Sequence, residues 1–529
     1  MQQKEIFEQL QNPELFGQNV SSVKILQTHI SFVVLTGSFA YKIKKAIDFG
    51  FLDFSTLEKR KFFCEEEIRL NKRLCPKIYL SVVPITEHNG KIQLNGKGKI
   101  VEYALKMKEF PQENIMTNQL NKGNVTAKTI EEICDILVNF YKSNKGESEI
   151  ESYGKAESVK KNIDENFEQT KSVINTTIPR ATFDFIKDAA NQFFEKNSSI
   201  FEKRIKEGHI CDCHGDLHSG NIVILDNICI FDCIEFNKRF RYCDVASDIS
   251  FLAMDLDYLN YPELSSYLIQ NYIQKSSDKS ILQVLNFYKS YRAYVRGKVN
   301  GFKLSDPNIK DTEKKEIIDI SKKYFELSYY YAQLFSLDLN HPKPIIFLVC
   351  GMSGTGKSTL AQKLSIDYNA THLNTDIIRK EIEGINIFEK HLDEINTGLY
   401  SPEKIEKTYR KLIEKSEEFV KDKKNVILDA TFSKKKFRKL VYDTFKKYDA
   451  ALVVIECISR DDIVKKWLDK RIKTKSVSDG RWEVYLHQKK TFEKLTDDEN
   501  SIVFDTSKES YDYRLGFFKK IIEKINEDG

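Results

Sequence analysis

The chain of 529 residues carries a formal net charge of +5, and 41% of its residues are hydrophobic and 30% are charged. This length is too great for one hydrophobic core, so two or three domains of an ordinary soluble globular protein are expected. The small net charge does not by itself indicate a nucleic-acid-binding protein, and no apolar run approaches the ~20 residues that would span a bilayer.

The first strands predicted in the chain lie within residues 24–45 and turn tightly at Gly37. A lysine on such a strand holds the α- and β-phosphates of ATP in the N-terminal lobe of a kinase. Lys42 is the first candidate for this role, and Lys44 is its rival because residues two apart on a strand face the same side. The competing explanation is an edge strand whose lysines are simply solvated.

The next element is a helix predicted over residues 56–74, where a kinase places the glutamate that pairs with the strand lysine. Glu67 is the candidate for this pair, and Glu65 and Glu66 are equally well explained as solvated residues. Three further strands are predicted at 78–83, 91–93 and 100–107. The last strand leads into a suitable hinge between two lobes, so backbone groups near Met107 are expected to meet an adenine ring.

After helices predicted at 128–142 and about 155–207, the segment 214–221 reads His-Gly-Asp-Leu-His-Ser-Gly-Asn. Phosphoryl transfer of the protein-kinase type needs an aspartate five residues before an asparagine in one short loop. Asp216 is therefore the candidate base that accepts the proton of the attacking hydroxyl, and Asn221 is a candidate magnesium ligand. The competing explanation is a surface loop rich in small polar residues.

A hairpin predicted directly after this segment supplies a second candidate ligand for magnesium. Residues 222–225 and 228–231 form two short apolar strands, and Asp226 and Asn227 between them tolerate the positive φ of a tight turn. Asp232 follows the second strand and is expected to bind the metal ion. One region therefore offers a base and two metal ligands.

The chain then continues as helices up to a predicted domain boundary. The helices are expected at 249–256, 262–275, 281–303 and 311–335. The third of them carries tyrosines and basic residues that either line a site for an anionic substrate or form a solvated basic face. Residues 336–344 contain two prolines and form the predicted linker, so the expected domains are 1–335 and 345–529.

From residue 345 onwards strands and helices alternate, which is typical of a parallel sheet. The strands are predicted at 345–350, 371–374, 425–429, 451–457 and 501–505. Residues 351–359, directly after the first strand, read Gly-Met-Ser-Gly-Thr-Gly-Lys-Ser-Thr and open a helix. This is the complete P-loop motif in the context that it requires.

The residues of the P-loop have separate expected roles. Its backbone N–H groups wrap the phosphates of a nucleotide because the glycines allow close approach. Lys357 is expected to meet the β- and γ-phosphates, and Ser358 is expected to bind magnesium. The predicted nucleotide-binding residues are Gly351, Ser353, Gly354, Thr355, Gly356, Lys357, Ser358 and Thr359.

Three further candidates in the second half follow its predicted strands. Asp376 comes after the second strand, where a carboxylate faces the γ-phosphate in small-molecule P-loop kinases and deprotonates or orients the acceptor hydroxyl. Arg379 lies close to it in the sequence. Asp429 ends the third strand and is expected to serve the metal ion or to act as a second base.

A predicted lid over residues 458–490 is rich in helix formers and carries Arg460, Arg471 and Arg481. Such a lid supplies arginines to the phosphate that is transferred. The sequence does not decide which of the three reaches it. Arg460 is the first candidate, and an ordinary solvated arginine is an equal alternative for each.

Three other patterns do not indicate a site. Cys211, Cys213 and His214 lack the second Cys/His pair of a zinc site. The lysine-rich run 433–439 is more typical of a solvated helix face than of a nucleic-acid patch. The ten cysteines form no disulfide-like ladder and the N-terminus lacks a signal peptide, so a reducing cytoplasm is the expected setting.

The first half resembles the aminoglycoside phosphotransferase family, a branch of the protein-kinase-like fold. The resemblance covers roughly residues 25–330 and rests on the segment 214–221, on Asp232 and on the later Asp248. No Gly-rich loop precedes Lys42, and Cys-Ile rather than Phe-Gly follows Asp232; both departures are usual for this branch. The resemblance implies a base in Asp216, metal ligands in Asn221 and Asp232, support of the loop by His214, and a structural role for Asp248.

The second half, residues 343–529, resembles the P-loop kinases of the gluconate kinase, zeta-toxin and polynucleotide kinase type. The tandem order resembles a group of two-domain bacterial proteins. The expected fold is therefore an α+β, kinase-like, two-lobed N-terminal domain followed by an α/β P-loop domain with a parallel sheet. The expected function is ATP- and magnesium-dependent transfer of a γ-phosphoryl group to hydroxyls of small molecules at two nucleotide sites.

Two alternative functions are also compatible with these motifs. In one, the first half is a sensor that regulates the P-loop half. In the other, the second half phosphorylates the 5′ ends of nucleic acids, although the sequence does not favour a nucleic-acid partner. No membrane partner is expected, and the sequence indicates neither the acceptors nor the oligomeric state.

Overall fold

A computed structural model of the chain describes residues 1–306, 309–391, 394, 397–472 and 477–527. These residues pack into two compact units, each made of three stretches of sequence. The first unit comprises Met1–Glu168, Asn197–Leu256 and Tyr267–Ile281, and the second comprises Gln169–Lys196, Asp257–Ser266 and Leu282–Gly529. The domain bounds expected from the sequence divide the chain differently and stay a prediction.

The first unit begins with an antiparallel sheet. Its elements are α1 (Gln3–Gln9), β1 (Lys24–Gln27), β2 (Ser31–Leu35), β3 (Phe39–Lys44), α2 (Leu57–Asn71), β4 (Tyr79–His88), β5 (Lys91–Leu94) and β6 (Lys99–Lys108). The strand order is β1-β2-β3-β6-β4-β5, so β3 lies inside the sheet. Tyr41 and Ile43 of β3 enter a hydrophobic core. Alternation along the strand therefore leaves Lys42 and Lys44 on the opposite face.

Helix α2 buries one acidic residue, Glu67. The helix begins after Thr56, whose side chain accepts a hydrogen bond from the backbone N–H of Lys59. Its buried residues are Arg60, Cys64, Glu67, Leu70 and Asn71. This spacing of three or four residues defines a single helical face, so Glu67 is buried with the apolar side chains.

The chain after β6 is mainly helical, with two small antiparallel pairs of strands. Its stretches Gln169–Lys196 and Asp257–Ser266 belong to the second unit. The elements that follow β6 are α3 (Met116–Asn121), α4 (Ala127–Ser143), α5 (Ser148–Glu151), α6 (Ala156–Thr170), α7 (Arg180–Lys206), β7 (Ile210–Asp212), β8 (Ile222–Ile224), β9 (Ile228–Ile230), α8 (Lys238–Arg241), β10 (Tyr242–Asp244), α9 (Val245–Tyr258) and α10 (Pro262–Ser276). β7 pairs with β10. β8 pairs with β9, and this second pair confirms the hairpin predicted after the segment 214–221. The segment 214–221 lies between β7 and β8.

The second unit contains a five-stranded parallel sheet. Its elements include α11 (Leu285–Gly301), α12 (Asp311–Asn340), β11 (Ile345–Cys350), α13 (Lys357–Asp367), β12 (Thr371–Asn374), α14 (Thr375–Ile382), α15 (Pro402–Lys421), β13 (Val426–Asp429), α16 (Lys435–Phe445), β14 (Ala451–Ile458), α17 (Asp461–Ile472), α18 (Trp482–Thr491), β15 (Ile502–Asp505) and α19 (Tyr511–Glu527). The strand order is β12-β13-β11-β14-β15. All pairs are parallel, so the predicted fold class is confirmed.

Helix α12 is longer than predicted and runs to Asn340, into the expected linker. It belongs to the second unit because it packs with α11 against the helix after the P-loop. The hydroxyl of Tyr330 donates to Asp367 Oδ2 at 2.8 Å, and Asn286 Nδ2 donates to the Asp367 carbonyl at 2.8 Å. These buried bonds join helices on both sides of the predicted boundary, and the two prolines of the linker follow the end of α12.

One disulfide joins Cys75 to Cys229 across 154 positions of the sequence. The scattered cysteine spacing had given no sign of this pair. Cys75 and Cys229 pack in the same hydrophobic cluster as Tyr79 and Phe231, next to Asp232. None of the helices in the described ranges is both long enough and apolar enough to cross a membrane.

Candidate active sites

The first candidate site is built around the carboxylate of Glu67, which has no exposed surface. Lys42 Nζ lies 2.8 Å from Glu67 Oε1 and 2.6 Å from Asp232 Oδ1. The side chain of Asp232, in contrast, is 43% exposed. The cluster is therefore closed at helix α2 and open to solvent at Asp232.

The charges in this cluster keep Lys42 and Glu67 ionised despite their burial. Burial alone would lower the pKa of Lys42, but the charges of Asp232 and Glu67 raise that pKa well above its usual value. Burial alone would raise the pKa of Glu67, but the charges of Lys42 and Lys44 lower it to about 2. The lysine therefore stands charged and oriented at the open face of the site.

The structure brings the rival lysine to the same glutamate. Lys44 Nζ lies 2.6 Å from Glu67 Oε2 and also donates to Glu235 Oε1. Glu67 thus has one lysine on each carboxylate oxygen. The neighbouring Glu65 and Glu66 instead form ion pairs with basic residues of their own helix.

Asp216 and Asn221 come together in the loop between β7 and β8. Asn221 Nδ2 donates to the backbone carbonyl of Asp216 and to its Oδ2, each at 3.0 Å. The amide carbonyl oxygen of Asn221 remains as the acceptor atom of this side chain. Together with the carboxylate of Asp232 it offers oxygen ligands of the kind that magnesium prefers. The chemistry of the residues present therefore fits a magnesium ion.

Asp248 holds the start of this loop. Its Oδ2 accepts the backbone N–H of His214 at 2.9 Å, and its Oδ1 accepts that of Gly215 at 2.9 Å. The imidazole of His214 lies 2.9 Å from the carbonyl oxygen of Phe231, next to Asp232. Burial lowers the pKa of His214, so the ring is neutral and connects the loop to the hairpin.

Two further anchors of this site carried no recognisable sequence signal. The backbone N–H and the hydroxyl of Ser219 both donate to Asp255 Oδ2, at 2.8 and 2.5 Å. The backbone N–H of Asp232 donates to the hydroxyl of Tyr79 at 3.1 Å. Asp232 has a φ of +63°, so the chain turns sharply as it presents its carboxylate. Both anchors join residues far apart in the sequence.

Met107 lies near the end of β6, in register with Ala40 of β3. Glu109 follows it and accepts the backbone N–H groups of Thr36 and Gly37 at Oε2, at 2.9 and 2.7 Å. The predicted hinge is therefore attached to the tight turn before β3. The role of the Met107 backbone towards adenine stays a prediction.

The second candidate site is the loop between β11 and α13. Gly354 and Gly356 adopt φ values of +79° and +86°, a region that favours glycine. A Cβ atom on Gly351 would lie 2.3 Å from the carbonyl oxygen of Cys457. Lys357 Nζ donates to the Met352 carbonyl at 2.8 Å, within the loop. This is the backbone conformation in which N–H groups surround a phosphate.

Asp429 stands beside this loop because β13 is the neighbour of β11. Its Oδ2 lies 3.0 Å from His372 Nε2 and accepts a hydrogen bond from Asn374 Nδ2 at 2.6 Å. Burial would raise the pKa of Asp429, but hydrogen bonds from His372 and Ser358 and the charge of Lys357 lower it. An ionised carboxylate next to Ser358 fits a magnesium ion at the P-loop.

Asp376 and Arg379 form an ion pair on α14. Arg379 Nη1 lies 2.7 Å from Asp376 Oδ1, and the guanidinium lies 4.5 Å from the centroid of the Tyr400 ring. Arg379 is 8% exposed. Its Nε has no hydrogen-bond partner in the part of the chain that the structure describes. A buried donor without a partner is unfavourable, so the ion pair with Asp376 and the ring of Tyr400 are the contacts that hold this guanidinium.

Two of the three lid arginines, Arg460 and Arg471, differ in their surroundings. Arg460 is exposed and pairs with Asp462 at 2.7 Å. Burial lowers the pKa of Arg471, and the charges of Asp376 and Asp429 oppose this decrease. Arg471 therefore interacts electrostatically with both candidate carboxylates of the second site, Asp376 and Asp429. The assignment of the phosphate contact to Arg460 stays a prediction, and sequence spacing gave no means to rank Arg471 above it.

The basic run at 434–439 is paired with carboxylates of the second unit. The ion pairs are Lys434–Glu493, Lys435–Asp498, Lys436–Glu406, Arg438–Glu499 and Lys439–Asp443, at 2.5–3.4 Å. Their positive charge is locally compensated, which weakens the electrostatic attraction of this helix for a polyanion.

The sequence of the second unit matches a known family. Residues 346–495 match the family described as AAA domain. This part of the chain is a P-loop domain. The match includes the P-loop, Asp376, Arg379 and Asp429, and it confirms the prediction of a P-loop domain at the C-terminal end.

Relatives of similar length are also found. The "Uncharacterized protein Mb2027c" of Mycobacterium bovis and the "Uncharacterized protein Rv2004c" of Mycobacterium tuberculosis are each 26% identical to this chain over 443 residues. The aligned regions cover 84% of this chain and 85% of each relative. The similarity therefore spans both halves, and the order of the two halves is shared.

Two solved structures show weaker likeness. A gluconokinase from Sinorhizobium meliloti 1021 is 14% identical and matches 35% of this chain and 97% of its own, with a TM-score of 0.26. A choline/ethanolamine kinase family protein from Mesorhizobium loti is 10% identical and matches 63% of this chain and 99% of its own, with a TM-score of 0.36.

Proposed function

We propose that the protein is an ATP- and magnesium-dependent phosphotransferase with two nucleotide sites. Each site transfers the γ-phosphoryl group of ATP to a hydroxyl of a small molecule. The observation that carries this proposal is the pairing of Lys42 with Glu67 and Asp232 in the unit that also holds Asp216 and Asn221. The separate P-loop at the second site supports a second nucleotide.

At the first site, Lys42 holds the α- and β-phosphates, and Asn221 and Asp232 hold magnesium. Magnesium held by these two residues would neutralise negative charge on the phosphates. Asp216 accepts the proton of the acceptor hydroxyl while the hydroxyl oxygen bonds to the γ-phosphorus. The bond from that phosphorus to the β–γ bridging oxygen breaks, and ADP carries away the electron pair.

At the second site, the P-loop N–H groups and Lys357 hold the phosphates, and Ser358 and Asp429 hold magnesium. Asp376 orients the acceptor hydroxyl and accepts its proton. Arg379 positions the Asp376 carboxylate through their 2.7 Å ion pair. Most of the rate enhancement at both sites comes from positioning and charge neutralisation, because phosphoryl transfer requires little covalent participation by the protein.

The proposal is tested by a screen for the acceptor molecules of the two sites. The full chain is incubated with γ-labelled ATP and a fractionated metabolite extract. Asp216→Asn removes the base of the first site, and Lys357→Ala disables the P-loop. We expect one set of labelled products to disappear with each variant. If Asp216→Asn leaves all labelling intact and Lys357→Ala abolishes it, the first unit is a sensor and not a second enzyme.

A nucleic-acid acceptor is tested in parallel. The compensated charges of the basic run support a small-molecule acceptor instead. A 5′-hydroxyl oligonucleotide is incubated with labelled ATP at several salt concentrations. Labelling that falls steeply as salt rises would contradict the small-molecule assignment of the second site.

A further inference from the structure

The reaction proposed for the first site uses Lys42, yet the more deeply buried cation of the cluster is Lys44. The side chain of Lys44 is 2% exposed, against 12% for Lys42. Its Nζ contacts Glu67 and Glu235 and lies 4.8 Å from the centroid of the buried Phe54 ring. The Lys44 ammonium group is therefore surrounded by buried side chains. Lys42, in contrast, contacts the exposed Asp232.

A buried lysine is unfavourable unless its charge is compensated, so the pairing needs an explanation. When Lys42 turns towards phosphates, its charge is shared between them and Glu67. Glu67 has no exposed surface and would then lose part of its compensation. Lys44 stays on the second carboxylate oxygen of Glu67. It keeps that carboxylate charged and in place while Lys42 serves the ligand.

Glu235 extends this connection to the metal ligand. It follows Asp232 by three positions. One of the two residues between them, Cys233, donates its backbone N–H to Asn71 Oδ1 at 2.8 Å. The bond from Lys44 to Glu235 attaches the segment after Asp232 to strand β3. The bond from Cys233 attaches the same segment to helix α2.

We propose that Lys44 is a positioning residue of the first site. Through Glu67 and Glu235 it fixes helix α2 and the segment after Asp232 around the phosphate lysine. This inference rests on the proposed function of the first site. It requires that Lys44 and Glu235 exert their effect through their mutual ion pair. It also requires that loss of either residue weakens the binding of magnesium with nucleotide.

The test uses the full chain carrying Lys357→Ala, so that nucleotide binding reports the first site. Lys44→Met, Lys44→Arg, Glu235→Gln and the double variant Lys44→Met with Glu235→Gln are compared. Lys45→Met is the matched control, because Lys45 follows β3 and donates to the Thr28 carbonyl. Binding of a non-hydrolysable ATP analogue is titrated at a series of magnesium concentrations, and thermal unfolding is recorded for each variant.

We expect Lys44→Met and Glu235→Gln each to weaken magnesium–nucleotide binding about tenfold and to raise the magnesium concentration for half-maximal binding. The double variant should be no weaker than the weaker single variant, because the two residues act together. Lys44→Arg should restore most of the affinity. Lys45→Met should change it less than about twofold.

Folded variants that keep the affinity and magnesium dependence would overturn the inference, as would fully additive effects. Should Lys44→Met fail to fold, Glu235→Gln and Lys44→Arg decide the question by the same readouts. If the Lys357→Ala protein binds no magnesium–nucleotide, the proposed function of the first site fails and the inference fails with it. If it binds and the Lys44 variants are unaffected, only the inference fails.

Discussion

The backbone N–H of His214 donates a 2.9 Å hydrogen bond to Asp248 Oδ2, and the other carboxylate oxygen accepts the next N–H of the chain. Asp248→Asn keeps one carbonyl oxygen and leaves the other N–H without an acceptor. We expect a loss of roughly 1–3 kcal/mol in the free energy of unfolding and a fall in turnover at the first site. Asp226→Asn, in the exposed hairpin turn, is the control for urea unfolding. Equal stability of the two variants would contradict the anchoring role.

A second prediction concerns pH. The pKa of Glu67 falls from 4.5 to about 2 in the folded protein. A depressed folded-state pKa stabilises the fold fully above the unfolded value, and this stabilisation is lost as pH decreases towards 2. The free energy of unfolding of the wild type should therefore exceed that of Glu67→Gln by roughly 3 kcal/mol at pH 7. This difference should shrink as the pH falls from 4.5 to about 2. Unfolding at several pH values measures it, and a pH-independent difference would refute it.

A third prediction concerns the P-loop backbone. Gly351 has a φ of +136°, and a Cβ there would lie 2.3 Å from the Cys457 carbonyl oxygen. Gly351→Ala must displace the loop or β14, so we expect about 1–3 kcal/mol of destabilisation and weaker nucleotide binding at the second site. A Cβ added at Gly516 of α19 would meet open space, so Gly516→Ala should slightly increase the stability of the fold. Calorimetric unfolding and nucleotide titration of both variants give the comparison.

A fourth prediction separates metal from nucleotide at the second site. Asp429→Asn retains the shape of the side chain but removes the charge beside Ser358. Nucleotide affinity should fall about tenfold with magnesium and change little without it. Asp449→Asn is the control because Asp449 is exposed and pairs with Lys343. Asp429 would not serve the metal ion if both variants kept the wild-type response to magnesium.

The sequence predicted those parts of the sites that are local in the chain. The segment 214–221 and the P-loop each contain several candidate residues within one turn, so their spacing alone indicates phosphate chemistry. Element order was enough to associate Lys42 with Glu67, because a strand followed by a helix constrains which faces meet. The parallel order of the second unit likewise followed from alternating strands and helices.

Other relationships depend on tertiary contacts that no spacing reveals. Glu235 is 191 positions from Lys44, and Cys229 is 154 positions from Cys75. The choice between Arg460 and Arg471 depends on burial, which the shared lid sequence does not indicate. Helix α12 extends into the predicted linker because Tyr330 and its neighbours pack on the P-loop helix, whereas the prolines only suggested where a boundary would fall.

Counting bound nucleotides tests the central claim most directly. Isothermal titration of the full chain with a non-hydrolysable ATP analogue and magnesium is repeated with Lys42→Met and with Lys357→Ala. Two nucleotide sites predict two equivalents bound by the wild type and one by each variant. A single equivalent in the wild type that disappears with Lys357→Ala and is unaffected by Lys42→Met would contradict the account.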